Sequence, residues 1–420
     1  MSKDKLKILE TIDSFSPCID GPINVVKNYS LHLNRNHICK VAVPKAAKKQ
    51  NYVDNEKFEV IRCRSWAAPE NYRFGRPLQD IKFRKAIEAE GFDIIHAHSP
   101  FSMARFALKT GKKQNLPVVI TIHTQYKEDF KRTLHGFKPF IAIAMRYIMR
   151  SVKAADSVWT VNDASRNILR EYGYKGKIEV VRNGTDLKYP ENAEELKAKI
   201  DDLHNLKGQK NVFIFVGRIA MYKNLGLMAE ALKILKDRGE DFRMIVVGSG
   251  FDEVKFKEQV KDAGLDDRFI FTGSVKDRTL LQAYYLRSDL FLFPSTFDTS
   301  SLVPIEAAAH KLPTLLIKGS YTAENITDNV NGFLSEETPE AFADKIKAII
   351  SEDGLAKKVG EEAHRSVYRS WEMVAEEVAQ KYKKIIAEYK ERHKEKAERS
   401  GKAAKKTKYV IKAKKQPVGN

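Results

Sequence analysis

From Leu6 onward the chain alternates two kinds of apolar pattern. Short, nearly unbroken runs (LKILETI, KVAVP, FEVIRC, DIIHAH, VVITIH, SVWTVN, IEVVRN) have the β-branched content of strands buried on both faces. Between several of them lie segments such as INVVKNYSLHLNRN, LQDIKFRKAIEAEG and PFSMARFALKTGKKQ, apolar at every third or fourth position. That spacing gives a helix one buried face. Regular alternation of the two predicts βαβ units and a parallel sheet.

The pattern pauses at a polar helix near 191–207 and then restarts. NVFIFVGR, RMIVVGSG, RFIFTG, LFLFPS and PTLLIKG read as strands, separated by the helical patterns LGLMAEALKILKDRG, FDEVKFKEQVKDAG and LLQAYYLRSD. The expected organisation is α/β: one Rossmann-like domain over 1–190 and a second over 208–370. Two such sheets facing each other leave a cleft at the carboxyl ends of their strands, where open α/β sheets bind ligands. A long charged helix follows over 371–398. The basic stretch 399–420, RSGKAAKKTKYVIKAKKQPVGN, is so poor in apolar residues that disorder is expected.

Length and composition agree with two soluble globular domains: 420 residues, 43% apolar and 31% charged. The apolar runs fall far short of the ~20 residues that span a bilayer. MSKDKLKILETID lacks the apolar centre of a signal peptide. The three cysteines, Cys18, Cys39 and Cys63, show no CxxC spacing, which suits a reducing cytoplasm. Charge changes the picture more. The net charge of +19 is uneven: residues 101–150 carry ten basic and two acidic side chains, 401–420 seven and none, while 201–350 are slightly acidic with nineteen and twenty-two. A basic first half suits a polyanion, nucleic acid or anionic lipid. It also suits a chain that is simply basic and well solvated.

Candidate chemistry sits where strands end. VGRIAMYKN places Arg218 and Lys223 in one strand-to-loop turn. Arginine forks two oxygens and lysine supplies a point charge, so the pair can clamp a diphosphate. Gly248 in VVGSG lets backbone approach a ligand before a helix start. In FPSTFDTSSLVPIEAAAH, Asp298 precedes a helix and Glu306 lies inside it. Amides at Leu302 and Val303 can hold a phosphate there, Glu306 can accept from a ribose diol, and Asp298 from sugar hydroxyls. His123 ends the strand VVITIH, and Gly21-Pro22 precede the first helix. Each has a plain structural explanation when taken singly: surface cations, a turn glycine, a dipole-stabilising acid, a loop acid, a strand-end histidine. No Walker A motif and no opening GxGxxG is present, so nucleotide hydrolysis and dehydrogenase chemistry lack support. No helix-turn-helix, RRM or zinc signature supports a nucleic-acid-binding protein, the non-enzyme alternative.

The ordered set resembles glycosyltransferase family 4, the retaining GT-B enzymes that use nucleotide sugars. It runs over roughly residues 5–390: DGP, FDIIHAHSP, HTQY, ADSVWTVNDASRNIL, VVRNGTD, VGRIAMYKN, VVGSG, FTGSV, two acids with seven residues between them, DNVNGFL and SWEMVAEEVAQKYKKI. The resemblance implies a GT-B fold whose 371–398 helix packs back towards the first domain. It implies that Arg218 and Lys223 neutralise the donor diphosphate, that Glu306 binds the ribose, and that Asp298 contacts the transferred sugar. It places Gly21 in the loop under the donor phosphates, His123 near C6 of the reacting sugar, and Asn183-Gly184 in the interdomain turn. No essential metal or other cofactor is expected. Two departures stand out. Asp298 occupies a position where the family usually has Glu, and Thr299, Ser300 and Ser301 replace a glycine-containing loop.

HTQY, with His123 and Tyr126 on the acceptor side, is similar to bacterial glycosyltransferases that glucosylate diacylglycerol. In FKPFIAIAMRYIMRSVKAAD, Phe137, Phe140, Ile141, Met145, Ile148 and Val152 share one helical face, bordered by Lys138, Arg146, Arg150 and Lys153. Such a face either lies on an anionic membrane or packs into the core. The expectation is transfer of a hexose, glucose from UDP-glucose, to a membrane lipid such as diacylglycerol, at the cytoplasmic face of the membrane. Transfer to a polysaccharide or another lipid-linked sugar precursor stays open, as does an epimerase or phosphorylase on the same fold.

Overall fold

The computed structural model describes residues 5–18, 20–46, 52–67, 73–133, 138–298 and 301–413. Its first unit runs β1 (Lys7–Thr11), α1 (Gly21–Leu33), β2 (Ile38–Pro44), β3 (Val60–Cys63), β4 (Ser65–Ala67), β5 (Arg73–Gly75), α2 (Ile81–Ala89), β6 (Ile94–Ala97), α3 (Ser102–Gln114), β7 (Val118–Ile122), α4 (Tyr126–Thr133), α5 (Lys138–Lys153), β8 (Ser157–Thr160), α6 (Asp163–Glu171) and β9 (Glu179–Val180). The second runs α7 (Ala193–His204), β10 (Val212–Val216), α8 (Leu225–Asp237), β11 (Arg243–Val247), α9 (Glu253–Asp262), β12 (Phe269–Gly273), α10 (Arg278–Arg287), β13 (Leu290–Phe293), α11 (Val303–Ala309), β14 (Thr314–Ile317), β15 (Phe333–Ser335), α12 (Pro339–Ser351) and α13 (Leu355–Ser366). The chain then enters α14 (Trp371–Ala413).

Each unit is a parallel, doubly wound sheet. The first has order β3-β2-β1-β6-β7-β8-β9 and the second β12-β11-β10-β13-β14-β15. β4 and β5 form a separate antiparallel pair. In both sheets the order reverses beside the first strand, between β1 and β6 and between β10 and β13. The loops leaving those strands diverge there and open a crevice at the carboxyl edge. Helix starts are set by side-chain caps: Asp20, Asp80, Asn162, Asp277 and Thr338 each accept from an amide in the first turn. Left-handed Asn115 and Asn205 close α3 and α7.

The core divides accordingly. The larger apolar cluster extends from Leu187 to Val359 and takes in Ala193, Leu196 and Ile200 of α7. The polar helix expected between the domains therefore packs with the second sheet, because one of its faces is apolar. Three clusters pack against the first sheet, and one of them is completed by α14: Trp371, Val374, Val378, Tyr382 and Ile386 pack with Ile8, Val25 and Tyr29. The chain returns to the first unit at the Asn183-Gly184 turn. Thr185 donates to Arg369 O at 2.8 Å and accepts from the Trp371 amide at 3.1 Å. A Cβ on Gly184 would lie 2.8 Å from the Ser370 carbonyl carbon, so the crossing requires glycine.

The expected disordered tail needs correction. α14 continues past 398 to Ala413. Its Lys- and Ala-rich sequence has high helix propensity, and no proline interrupts it before Pro417. Residues 414–420 lie outside the described residues, as do Phe137, Thr299 and Ser300.

Candidate active site

Three loops build the carboxyl edge of the second sheet, and backbone hydrogen bonds stitch them together. Gly217 N donates to Val247 O at 3.0 Å, Ile219 N to Ser249 O at 3.1 Å, and Gly248 N to Gly273 O at 2.9 Å. Gly248 has φ +140°, and a Cβ there would meet Gly217 O at 1.9 Å. At Gly250 it would meet Ile219 O at 2.0 Å. The glycines of VVGSG thus allow loop to pack on loop, a need the sequence left indistinguishable from ligand approach.

That packing fixes the turn carrying the two cations. Arg218 is exposed and makes no ion pair with a described residue. Lys223 ends a short 3₁₀ turn and is only 7% exposed. Its ammonium lies over the Phe293 ring, 5.7 Å from the centroid. It donates to both oxygens of Asp298, at 2.8 and 2.7 Å, while Ser295 Oγ donates to Asp298 Oδ2 at 2.6 Å. A lysine this buried needs a counter-charge, and Asp298 supplies it across the crevice between β10 and β13. Lys223 and Asp298, picked from separate motifs, are in direct contact.

Glu306 lies in the first turn of α11 and is buried. Tyr285 donates to its Oε2 at 2.9 Å and Arg278 to its Oε1 at 3.2 Å. Burial pushes the carboxyl up, while the Arg278 guanidinium and the Tyr285 hydroxyl pull it back. His310 stacks on Tyr285 at 5.2 Å and shares a 2.7 Å hydrogen bond with Glu306 O. Burial lowers His310 to about 4. Arg278 and Tyr285 were not foreseen, since DRTLLQAYYLRSD reads as an ordinary amphipathic helix. Leu302 packs against the cluster that holds Trp371 and Tyr29, bringing the start of α11 onto the first unit. Glu324, also unforeseen, ties the units together: its carboxylate accepts from the Asp163 and Ala164 amides at 2.8 and 3.1 Å, at the start of α6.

Across the cleft, Gly21 opens α1 with no atom within 4 Å of its would-be Cβ, and Asp20 accepts from Ile23 N at 2.9 Å. In the first sheet's own crevice, Asp13 accepts from Ser99 Oγ at 2.6 Å and from the Met103 amide at 3.1 Å. Tyr126 starts α4, buried edge-on against Phe101. Its hydroxyl is raised first by burial and then by Asp13. His123, just beyond β7, is 6% exposed and shares a 3.0 Å hydrogen bond with His98 Nδ1. Burial holds it well below the usual histidine range. His98 in turn contacts Glu10, a carboxylate inside the strand LKILETI that the apolar pattern passed over.

The helix expected to turn one apolar face to membrane or core divides its apolar side chains between core and solvent. On α5, Ile141, Ile148, Met149 and Val152 are buried, whereas Phe140, Ile143 and Tyr147 are 60%, 66% and 36% exposed. Phe140 therefore belongs to an outward stripe, not to the face of Ile141, because positions three to four apart share a side and neighbouring ones do not. Lys138, Arg146 and Arg150 are exposed around that stripe. No helix among the described residues is long and apolar enough to cross a membrane.

The architecture and the sequence both have known counterparts. Residues 197–366 match the family model described as Glycosyl transferases group 1, and residues 19–189 match Glycosyltransferase Family 4. The chain belongs to the group 1, family 4 glycosyltransferases. This glycosyltransferase is an enzyme of the hexosyltransferase class with a GT-B fold. It is 25% identical over 344 residues to the alpha-monoglucosyldiacylglycerol synthase of Acholeplasma laidlawii, covering 78% of this chain and 84% of that one. The synthase of the same name from Streptococcus pneumoniae is 26% identical, covering 60% and 58%. Among solved structures, Anabaena HepE in complex with UDP and glucose superposes with a TM-score of 0.67 at 18% identity, over 90% of this chain and 99% of that one. A sucrose-phosphate synthase from Thermosynechococcus elongatus gives 0.71 at 18% identity, over 91% and 99%.

Proposed function

We propose that this glycosyltransferase moves glucose, with retention of configuration, from UDP-glucose to a membrane lipid of the diacylglycerol type. The observation that carries the donor half is the cationic turn at the β10/β13 crevice, with Arg218 exposed and Lys223 neutralised by Asp298. The diphosphate takes the place of Asp298 as counter-charge to Lys223, and Arg218 forks its oxygens. Asp298, released, accepts from hydroxyls of the hexose. Glu306, oriented by Tyr285 and Arg278, accepts from the ribose diol, and the Leu302 and Val303 amides face the phosphate. Breaking the glycosidic C–O bond puts negative charge on the leaving diphosphate. Cations already in place stabilise that charge more in the transition state than in the bound donor. Arg218 and Lys223 meet the diphosphate charge, so this reading requires no divalent metal. The acceptor attacks from the face the leaving group vacates, with His123 and Tyr126 on the acceptor side and domain closure excluding water.

The acceptor half is supported by the two monoglucosyldiacylglycerol synthases among the relatives and by the outward stripe of α5. Exposed Phe140, Ile143 and Tyr147 with basic neighbours suit shallow insertion into an anionic leaflet. This seats the enzyme on the inner face of the cell membrane. The test is a screen of nucleotide sugars against lipid extract and soluble acceptors, with products identified by mass spectrometry. Glucosyl-diacylglycerol from UDP-glucose is the expected product. Turnover confined to soluble acceptors or to other sugar donors would remove the corresponding half.

A further inference from the structure

On the side of the first sheet covered by α1 and α14, a set of polar side chains is sealed from solvent. Glu10, His96 and Tyr382 are 0% exposed, and His98 is 1%. Glu10 and His96 stand in register on β1 and β6. With the three histidines neutral, the chemistry of donors and acceptors gives every proton in this set one place. Tyr382 has one hydroxyl proton and two partners, Glu10 Oε1 at 2.7 Å and His96 Nδ1 at 2.5 Å. A carboxylate only accepts, so the hydroxyl donates to Glu10 and accepts from His96 Nδ1–H. His96 Nε2 is then the acceptor for the Thr121 hydroxyl at 2.6 Å. On the other carboxylate oxygen, His98 Nε2–H donates to Oε2 at 2.7 Å. A neutral imidazole protonated at Nε2 accepts at Nδ1, and the partner of His98 Nδ1 is His123 Nε2 at 3.0 Å. His123 must therefore carry its proton on Nε2.

Packing holds the rings in these positions. His98 lies against His96 at 4.0 Å, His123 stacks on His98 at 5.2 Å, and the edge of Tyr29 closes on His98 at 5.4 Å. Ligand atoms of Glu10, His96 and His98 lie within 4.8 Å of one another. Both nitrogens of His96 and both oxygens of Glu10 are nevertheless taken up in hydrogen bonds of 2.5–2.7 Å. The cluster closes on itself as a proton network.

We propose that Glu10 is a positioning residue which, acting through His98, holds His123 as its Nε2–H tautomer and in one orientation at the edge of the cleft. The tautomer assignment stands on the hydrogen bonds and a neutral His98. Its consequence for turnover rests on the reading of His123 as a group beside the transferred sugar. Tyr382 adds the C-terminal helix to the same network, so α14 both closes the first unit and completes the polar support behind its histidine.

The experiment is long-range ¹H–¹⁵N correlation NMR on the full chain with ¹⁵N-labelled histidine, paired with kinetics. The wild-type protein should show His98 and His123 as Nε2–H and His96 as Nδ1–H; His123 as Nδ1–H overturns the proposal, whatever any variant does. In Glu10→Leu, His98 Nε2–H loses its acceptor. His98 then shifts its proton to Nδ1, donates to His123 Nε2, and turns His123 to Nδ1–H. The expected result is that tautomer change together with a fall in kcat of about tenfold or more, with KM for the sugar donor within about twofold. An unchanged His123 tautomer in a folded Glu10→Leu protein refutes the relay. A changed tautomer with unchanged kcat upholds the relay and removes His123 from the proposed reaction.

Discussion

The two sheets share an order around their first strands, yet the crevices at their switch points hold opposite chemistry. In the second unit the crevice is ionic. Lys223 and Asp298 face each other across it, with Arg218 exposed beside them and Glu306 held by Arg278. In the first unit the groups behind the crevice are aromatic and hydrogen-bonded. Three histidines, one tyrosine and one carboxylate form a network with almost no solvent access. On the function proposed above, the difference follows from what each side would hold. A nucleoside diphosphate brings charge that must be met by charge. An acceptor hydroxyl and a sugar bring none, and ask for shape and directed hydrogen bonds. One scaffold serves both because the topology specifies only where loops emerge, not what they carry.

The comparison can be broken most severely on the ionic side. Arg218→Ala and Lys223→Ala should each lower kcat/KM by roughly 10²–10³-fold, the scale of losing one transition-state charge partner. Steady-state transfer assays check this. Two variants at wild-type rate would mean that the crevice is not a diphosphate site. The aromatic side and its counterpart His310 predict a different signature, in stability. His96 and His123 are held well below the usual histidine range, and His310 at about 4. Folded, these rings stay neutral in the range where the unfolded chain binds protons. Stability should therefore be complete above about pH 6.5 and fall as pH drops towards 4, by roughly 3 kcal/mol for His310 alone. Urea unfolding at a series of pH values measures it, and His310→Gln should flatten part of the slope.

Smaller effects sharpen the contrast. Glu306→Gln keeps the Tyr285 contact but loses the charge facing Arg278, so KM for the donor should rise about tenfold with a smaller change in kcat. A selective fall in kcat would instead place Glu306 at the reacting centre. The smallest effect is expected furthest from either crevice. Ile143→Ser removes one exposed apolar side chain from α5 and should weaken binding to anionic vesicles several-fold, with wild-type binding itself reduced by salt. Sedimentation with vesicles reads both, and wild-type binding indifferent to salt and to Ile143 would detach α5 from the membrane.

Legibility in the sequence divided along the same line. Both parallel sheets could be read from the alternation of apolar runs and helical spacing, because a doubly covered parallel strand has to be apolar throughout. β9 shrank to Glu179–Val180 from the longer run IEVVRN, since an edge strand is limited by its single neighbour. The antiparallel β4/β5 pair and three-residue β15 were too short to leave a periodic trace. The ionic crevice was legible because its residues sit in short local motifs, Arg218 with Lys223 and Asp298 with Glu306. Arg278 and Tyr285 were not, because they reach Glu306 from a helix whose pattern is that of any surface helix. The network behind His123 was hidden for a related reason. Its members come from β1, β6, β7 and α14, up to 372 residues apart, and only the fold brings them together. One local signal was available: HAH on a strand places His96 and a following His98 on the same side, and Glu10 is an acid in an apolar strand, which demands a buried partner.

The central claim is that the β10/β13 crevice holds the donor diphosphate through Arg218 and Lys223. Equilibrium titration of UDP and UDP-glucose into the wild-type chain and the Arg218→Ala/Lys223→Ala double variant tests it without needing an acceptor. Wild-type binding that weakens by a hundredfold or more in a double variant of native circular dichroism is the predicted result; roughly equal affinity in the two proteins would contradict the account.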